Sequence, residues 1–188
     1  MPEHAEPLAE DRDGFRFRGD HLALDLTATL AARLKDQPRE LLERAVDLDR
    51  WLVSSGLAGG APQASTQDVD TARELREAIY ALLSGRPSVA ARATLNAVAA
   101  LRPARPQLSA TGRLQMTGTA SEYLATIAGS AIELLGSAYR DRIRQCEGDG
   151  CAIVFLDLSR SGRRRWCSMS GCGNRAKART FRKRRHED

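Results

Sequence analysis

The hydrophobic positions fall into two periods, and that divides the chain. "FRFRG" alternates Phe15 and Phe17 with Arg16 and Arg18, the period of a short strand ended by Gly19. After it the spacing changes to that of helices. Leu22, Leu26 and Leu30 follow Asp20, which reads as an N-cap. "VDLDRWLVSSGL" follows, with Asp47 as N-cap and Gly56 as C-cap. "GGAPQAS" reads as a loop. Ser65 or Thr66 opens an amphipathic helix with Val69, Ala72, Leu75, Ile79 and Leu82 on one stripe, ended by Gly85 and Pro87. Ser88 caps the next helix, which Pro103 and Pro106 close. "QLSATGRLQMTG" has two short alternating runs around Thr111-Gly112, the pattern of a hairpin. From Thr119 a long helix, with Leu124, Ile127, Ala131, Leu134, Leu135 and Ala138 inward, is expected to run straight into Cys146. The expectation is a mainly α (α+β) chain: a disordered tail over 1–13, a helical domain over 14–140, and a compact module over 141–188.

The module carries the pointed chemistry. All four cysteines lie in it, spaced Cys146-x4-Cys151, fifteen residues, then Cys167-x4-Cys172. Two close pairs separated by a hairpin-sized gap are the sequence form of a four-thiolate zinc site. The glycines of "EGDG" and "SMSG" let each turn curl tightly enough for its two sulfurs to meet one metal. Four thiolates leave no open position for water, so one structural Zn2+ per chain is expected, without a catalytic role. The plainer alternative is free buried cysteines or a redox pair. "AIVFLDLSRSGRRRW" reads as a hairpin between the pairs, with the three arginines on its return strand. A basic helix follows Cys172, so the order is treble-clef-like. About 45 residues hold too little core to fold unaided, and metal binding on the order of 10–16 kcal/mol would supply the stability.

Charge sharpens this picture. Residues 140–188 hold 14 Lys+Arg against 6 Asp+Glu, a net of +8; the rest holds 15 against 18, a net of −3. A basic module on a mildly acidic body is the footprint of a polyanion contact. Candidate nucleic-acid contacts are Arg163, Arg164 and Arg165 on the hairpin, and Arg175, Lys177, Arg179, Arg182, Lys183, Arg184 and Arg185 on the helix. Arginine forks suit phosphates and guanine edges, and about six phosphate contacts would give a log–log salt slope of roughly −5. Phe181 is expected to dock on the hairpin and free the face of Arg175, Arg179, Arg182 and Lys183. The alternatives are a solvated basic tail or a docking site for an acidic protein.

"RRWCSMSGCGNRAKARTFR" is similar to the CGNR zinc-finger family, whose Cys-Gly-Asn-Arg is here Cys172 to Arg175. "FRFRGDHLALDL", "DLDRWLVSSGL", "LREAIYALL" and "LNAVAAL" resemble the ABATE domain that precedes this finger in bacterial proteins. The resemblance covers nearly the whole chain and departs at "LDLTATL", where Ala28 precedes Thr29 and the family usually has Asn-Thr. It implies zinc ligands at Cys146, Cys151, Cys167 and Cys172, and a stress-induced transcription regulator whose finger binds DNA. Asn174 is placed to brace the knuckle and Arg175 to reach phosphate, with a structural role for both left open.

Other classes fit less well. There is no Ser-His-Asp set, Gly-rich phosphate loop or histidine-carboxylate cluster, so an enzyme is not expected. An RNA-binding or ribosome-associated factor would want stacking aromatics, and the module offers only Trp166 and Phe181. A zinc-stabilised protein-interaction module is the remaining alternative. A single finger recognises little, so specific regulation would call for a homodimer. A small-molecule effector in the helical domain is compatible with the pattern, though no polar constellation names it. No run of apolar residues is long enough to span a membrane, and the acidic start lacks a signal peptide's apolar core, so a cytoplasmic location is expected.

Overall fold

Five helices, four two-stranded hairpins and a final basic helix make up the computed structural model, which describes residues 10–83 and 88–187, with side chains to residue 182 in the last helix. The chain begins with β1 (Asp11–Arg12) antiparallel to β2 (Phe15–Arg16). The expected disordered tail over 1–13 is thus corrected at its end: Asp11 and Arg12 are paired and Asp13 turns the chain, while 1–9 lie outside the described residues. Next come α1 (Leu22–Thr27), β3 (Leu30–Ala31) paired with β4 (Arg39–Glu40), and α2 (Ala45–Ser54). Then follow α3 (Thr66–Leu83), α4 (Val89–Ala99), the hairpin β5 (Arg105–Leu108) with β6 (Leu114–Thr117), and α5 (Ala120–Gly136).

The helical stripes do what their spacing demands. Val69, Ala72, Leu75 and Ile79 of α3 are buried against Trp51 and Leu52 of α2, Leu95 of α4, and Leu124 and Ile127 of α5. The caps are local chemistry. Thr119 Oγ1 accepts from Glu122 N at 3.3 Å while Glu122 returns to Thr119 N at 3.0 Å, a capping box. Two expected caps shift by a few residues. His21, not Asp20, caps α1, its Nδ1 accepting from Ala23 N at 3.3 Å; Asp20 itself sits at φ +56°. Arg44 is the N-cap of α2, and Asp47 serves three residues later by accepting from Arg44 N at 2.9 Å. The Gly85–Pro87 stop lies outside the described residues.

The long helix expected to run from Thr119 into Cys146 is shorter. It stops at Gly136, and Ser137 turns extended and caps a 3-10 turn over Ala138–Arg142. The reason is tertiary. Ile143–Gln145 is needed as a strand, β7, to pair with β8 (Val154–Leu156), in register Ile143↔Leu156 to Gln145↔Val154. Met169–Gly173 then forms one wide turn and α6 (Asn174–Glu187) ends the chain.

α1 is the axle of the molecule. It is only six residues long, yet Ala23–Thr27 are all buried. Leu26 faces the helical core, Leu24 packs with Leu134, Val154 and Leu156, and Ala28 packs among the cysteines. Just before it, Gly19 N donates to Asp25 Oδ1 at 2.7 Å and Gly19 O accepts from Leu156 N at 2.9 Å. A Cβ on Gly19 would sit 2.7 Å from Leu24 Cβ, so no side chain fits where the module and body meet. A second anchor is Arg76 of α3, 4% exposed, whose fork grips Glu40 through two 2.7 Å bonds and so fixes the β3–β4 hairpin. Burial alone would raise Glu40, but the bonds from Arg76 hold it below the usual carboxylate range.

Burial pushes Asp25 up to about 7 despite the Gly19 N–H it accepts. Its unfolded value is near 3.9. Between those values the unfolded chain has lost the proton while the folded one keeps it, so this contribution to stability falls as pH rises from about 4 to 7. Asp25→Asn keeps an accepting oxygen without the charge. Thermal or urea unfolding should find it equal to the parent near pH 4 and more stable near pH 8 by about 2–4 kcal/mol. A parent–variant difference that does not change with pH would contradict this.

Candidate metal centre and its basic frame

Backbone turns bring the four sulfurs together. Cys146 follows β7, and its N–H donates to Ile153 O at 2.9 Å; Cys151 N–H donates to Gly148 O at 2.9 Å and closes the first knuckle. In the second, Ser168 Oγ accepts from Gly171 N at 3.3 Å and Gly173 N donates to Ser168 O at 2.9 Å. The two knuckles are tied by Cys167 N donating to Cys146 Sγ at 3.3 Å and Glu147 N donating to Arg165 O at 2.9 Å.

All four Sγ atoms lie within 4.8 Å of one another, with Cys151–Cys167 at 3.9 Å and Cys167–Cys172 at 3.8 Å. A tetrahedron of thiolates about 2.3 Å from a central zinc has edges of about 3.8 Å, so the set fits the ion. None of the four is in a disulfide. A Cβ on Gly148 would come 2.8 Å from Cys172 Sγ, so the first knuckle closes on the site only because that residue is glycine. The crowding also asks for a cation, because four thiolates whose sulfurs all lie within 4.8 Å of one another repel. Four thiolates at this separation need a positive centre, and the site is that of one structural zinc. When bound, the ion supplies folding stability and no open coordination position.

The hairpin expected between the cysteine pairs is corrected. β8 pairs backward with β7, so the first knuckle is the hairpin's own loop, and Arg163, Arg164 and Arg165 form no return strand. The reason is Asp157, fully buried, whose carboxylate accepts from Ser159 N and Arg164 N at 2.9 Å each. That closes residues 157–164 into a loop that has no ladder to offer.

The arginines divide by task. Arg164 is spent inside: Nε donates to Trp166 O at 2.9 Å, Nη2 to Cys167 O, Nη1 to Asp20, and the guanidinium lies 4.5 Å from the centroid of Phe155. It clamps the second knuckle to the body. Arg175 Nη2 donates to Cys172 Sγ at 3.0 Å, so it braces a zinc ligand. Arg18 of the body packs over Gly171 beside the second knuckle, with its fork held by Asp11 through bonds of 3.0 and 2.5 Å. The Arg175 cation offsets part of the excess negative charge of a four-thiolate complex. Arg165 pairs with Glu147 at 2.6 Å and Arg179 with Asp149 at 2.8 Å, both at the surface, where such pairs contribute little. Arg163, Lys177 and Arg182 are exposed and make no ion pair among the described residues. The side chains of Lys183, Arg184 and Arg185 lie outside the described residues. Asn174 Nδ2 donates to Ser170 O at 3.4 Å, bracing the knuckle. Phe181 is 62% exposed, which corrects the expectation that it docks on a hairpin.

Sequence reasoning missed the body's share of this frame: Arg18, Asp20, and Glu10, whose carboxylate accepts from Ser168 Oγ at 2.5 Å. The one signal was the "FRFR" alternation. Its phenylalanines enter the body, leaving Arg16 and Arg18 toward the module.

Gly148→Ala should weaken zinc affinity by at least about tenfold in a chelator competition while leaving the helical circular dichroism of the body in place, the size of effect seen when a metal ligand's supporting contacts are lost. Parental zinc affinity in this variant would contradict the close approach at Cys172.

Comparison with known families agrees with this geometry. A model described as "CGNR zinc finger" matches residues 142–185. The ABATE model, described as "Putative stress-induced transcription regulator", matches residues 20–138, more than half of the chain. No curated protein matches it. With the helical body matched as one unit and the four thiolates inside the other, the chain belongs to the ABATE family and carries a CGNR zinc finger at its C-terminal side.

Proposed function

We propose that the chain is a cytoplasmic DNA-binding transcription regulator, without catalytic activity, whose α6 meets the duplex. The observation that carries this reading is the exposed set Lys177, Arg179 and Arg182 on a helix that starts at a zinc ligand. A helix anchored at its first turn by Cys172, Asn174 and Arg175 presents cations in a fixed direction, and fixed cations match a phosphate lattice better than a loose tail does. Arg163 adds an exposed cation beside the second knuckle. Arg164 has its donors committed to the body and to the finger's own backbone, which leaves it little to offer a phosphate. No helix among the described residues is long and apolar enough to cross a membrane. A homodimer on a paired operator would supply the specificity that one finger lacks.

A second reading has one observation behind it. Exposed Phe181 sits on the basic helix, where an aromatic face stacks on an unpaired base. An RNA- or ribosome-associated factor would use it so, and the preference of the purified protein between duplex DNA and single-stranded RNA separates the two.

Lys177→Glu with Arg182→Glu touches neither the cysteines nor the body. Fluorescence anisotropy on duplex DNA should show binding weakened more than tenfold near 0.1 M salt, with a log–log salt slope shallower by about 2. Zinc content should be that of the parent. Unchanged affinity with intact zinc would remove α6 from the contact surface.

A further inference from the structure

Between the β3–β4 corner of the body and the first zinc knuckle lies a cleft of about 540 Å³. Its volume is within the range of small-molecule sites, roughly 300–1,000 Å³. Four cations line it: Arg16, Lys35 and Arg39 from the body, and Arg175 from the finger. The one carboxylate there, Asp149, is already engaged by Arg179 at 2.8 Å. Arg16, Lys35 and Arg39 make no ion pair among the described residues, whereas many arginines elsewhere in the body do: Arg33 with Glu77, Arg50 with Asp13, Arg76 with Glu40. Like charges gathered in one cleft repel, and an anion entering it removes that repulsion; the Cys151 thiolate in the same wall belongs to the metal site. The floor is different in kind: Ala28 and Ile153 are buried apolar groups from the two modules.

We propose that this seam binds a small organic phosphate, its dianion held by Lys35, Arg39 and the neighbouring guanidinium groups and its carbon skeleton against Ala28 and Ile153. Arginine forks and an ammonium suit a tetrahedral dianion, while the apolar floor rewards a ligand with a body over the bare ion. The position also gives the ligand a lever. Arg175 touches both the cleft and Cys172 Sγ, and Asp149 in the same wall holds Arg179 of α6, so occupancy bears on the basic helix through two side chains. The binding itself does not depend on what α6 contacts.

The test uses the zinc-loaded full chain, labelled for two-dimensional NMR, titrated with phenyl phosphate and separately with inorganic phosphate. Phenyl phosphate should saturate, bind more tightly than inorganic phosphate, and shift the amides of residues 28–35 and 150–153. Lys35→Glu with Arg39→Glu, which touches no cysteine, should weaken it more than tenfold at unchanged zinc content, as expected for the loss of two charge-assisted bonds. Shifts spread over α6 without saturation overturn the proposal. So does phenyl phosphate binding no tighter than inorganic phosphate, or indifference to the double substitution. A DNA duplex that moves these amides when phenyl phosphate does not would instead make the cleft part of the nucleic-acid surface.

Discussion

Everything C-terminal to α5 depends on four sulfurs meeting at one point. The module's own apolar core is small: Ile153, Phe155 and the cysteines themselves, with Trp166 at its edge. Such a cluster cannot offset the conformational entropy of ordering more than forty residues. Thiolates held within 4.8 Å of one another would repel without a metal and are drawn together by it, so the ion converts the least stable part of the chain into a defined shape. This is why cysteines and arginines share one segment. The metal fixes the fold, Arg175 offsets part of the negative charge of the thiolates, and the remaining cations are carried in fixed positions.

The module is not a bead on a string. Leu24 of α1 shares a cluster with Val154 and Leu156 of β8, and Leu156 N donates to Gly19 O. Arg164 reaches across to Asp20, and Ser168 to Glu10. The short 3-10 turn over Ala138–Arg142 joins body and finger without a linker that could let them swing. The packing of α1 and that of the finger are therefore parts of one contact network.

Much of this was legible from spacing alone, because it is local. The two Cys-x4-Cys pairs, the start of α5 at Thr119, the stripe of α3 and the Thr111-Gly112 turn depend on residues within a few positions of one another. What the sequence hid depends on partners far along the chain. The end of α5 at Gly136 is imposed by the pairing of residues 143–145 with 154–156. The roles of the arginines were hidden for the same reason: Arg163 and Arg164 are neighbours of one type, yet Arg164 is committed to Asp20, 144 positions away, and Arg163 is exposed. Charge counting marks a basic module but does not say which cations are spent on structure.

The measurement that bears most directly on the account is a selection with the zinc-loaded full chain against sheared genomic DNA and total RNA together, near physiological salt, repeated after the metal is stripped. The loaded protein should enrich DNA over RNA and lose that enrichment on stripping. Enrichment of RNA, retention of neither, or DNA binding that survives removal of zinc would contradict it.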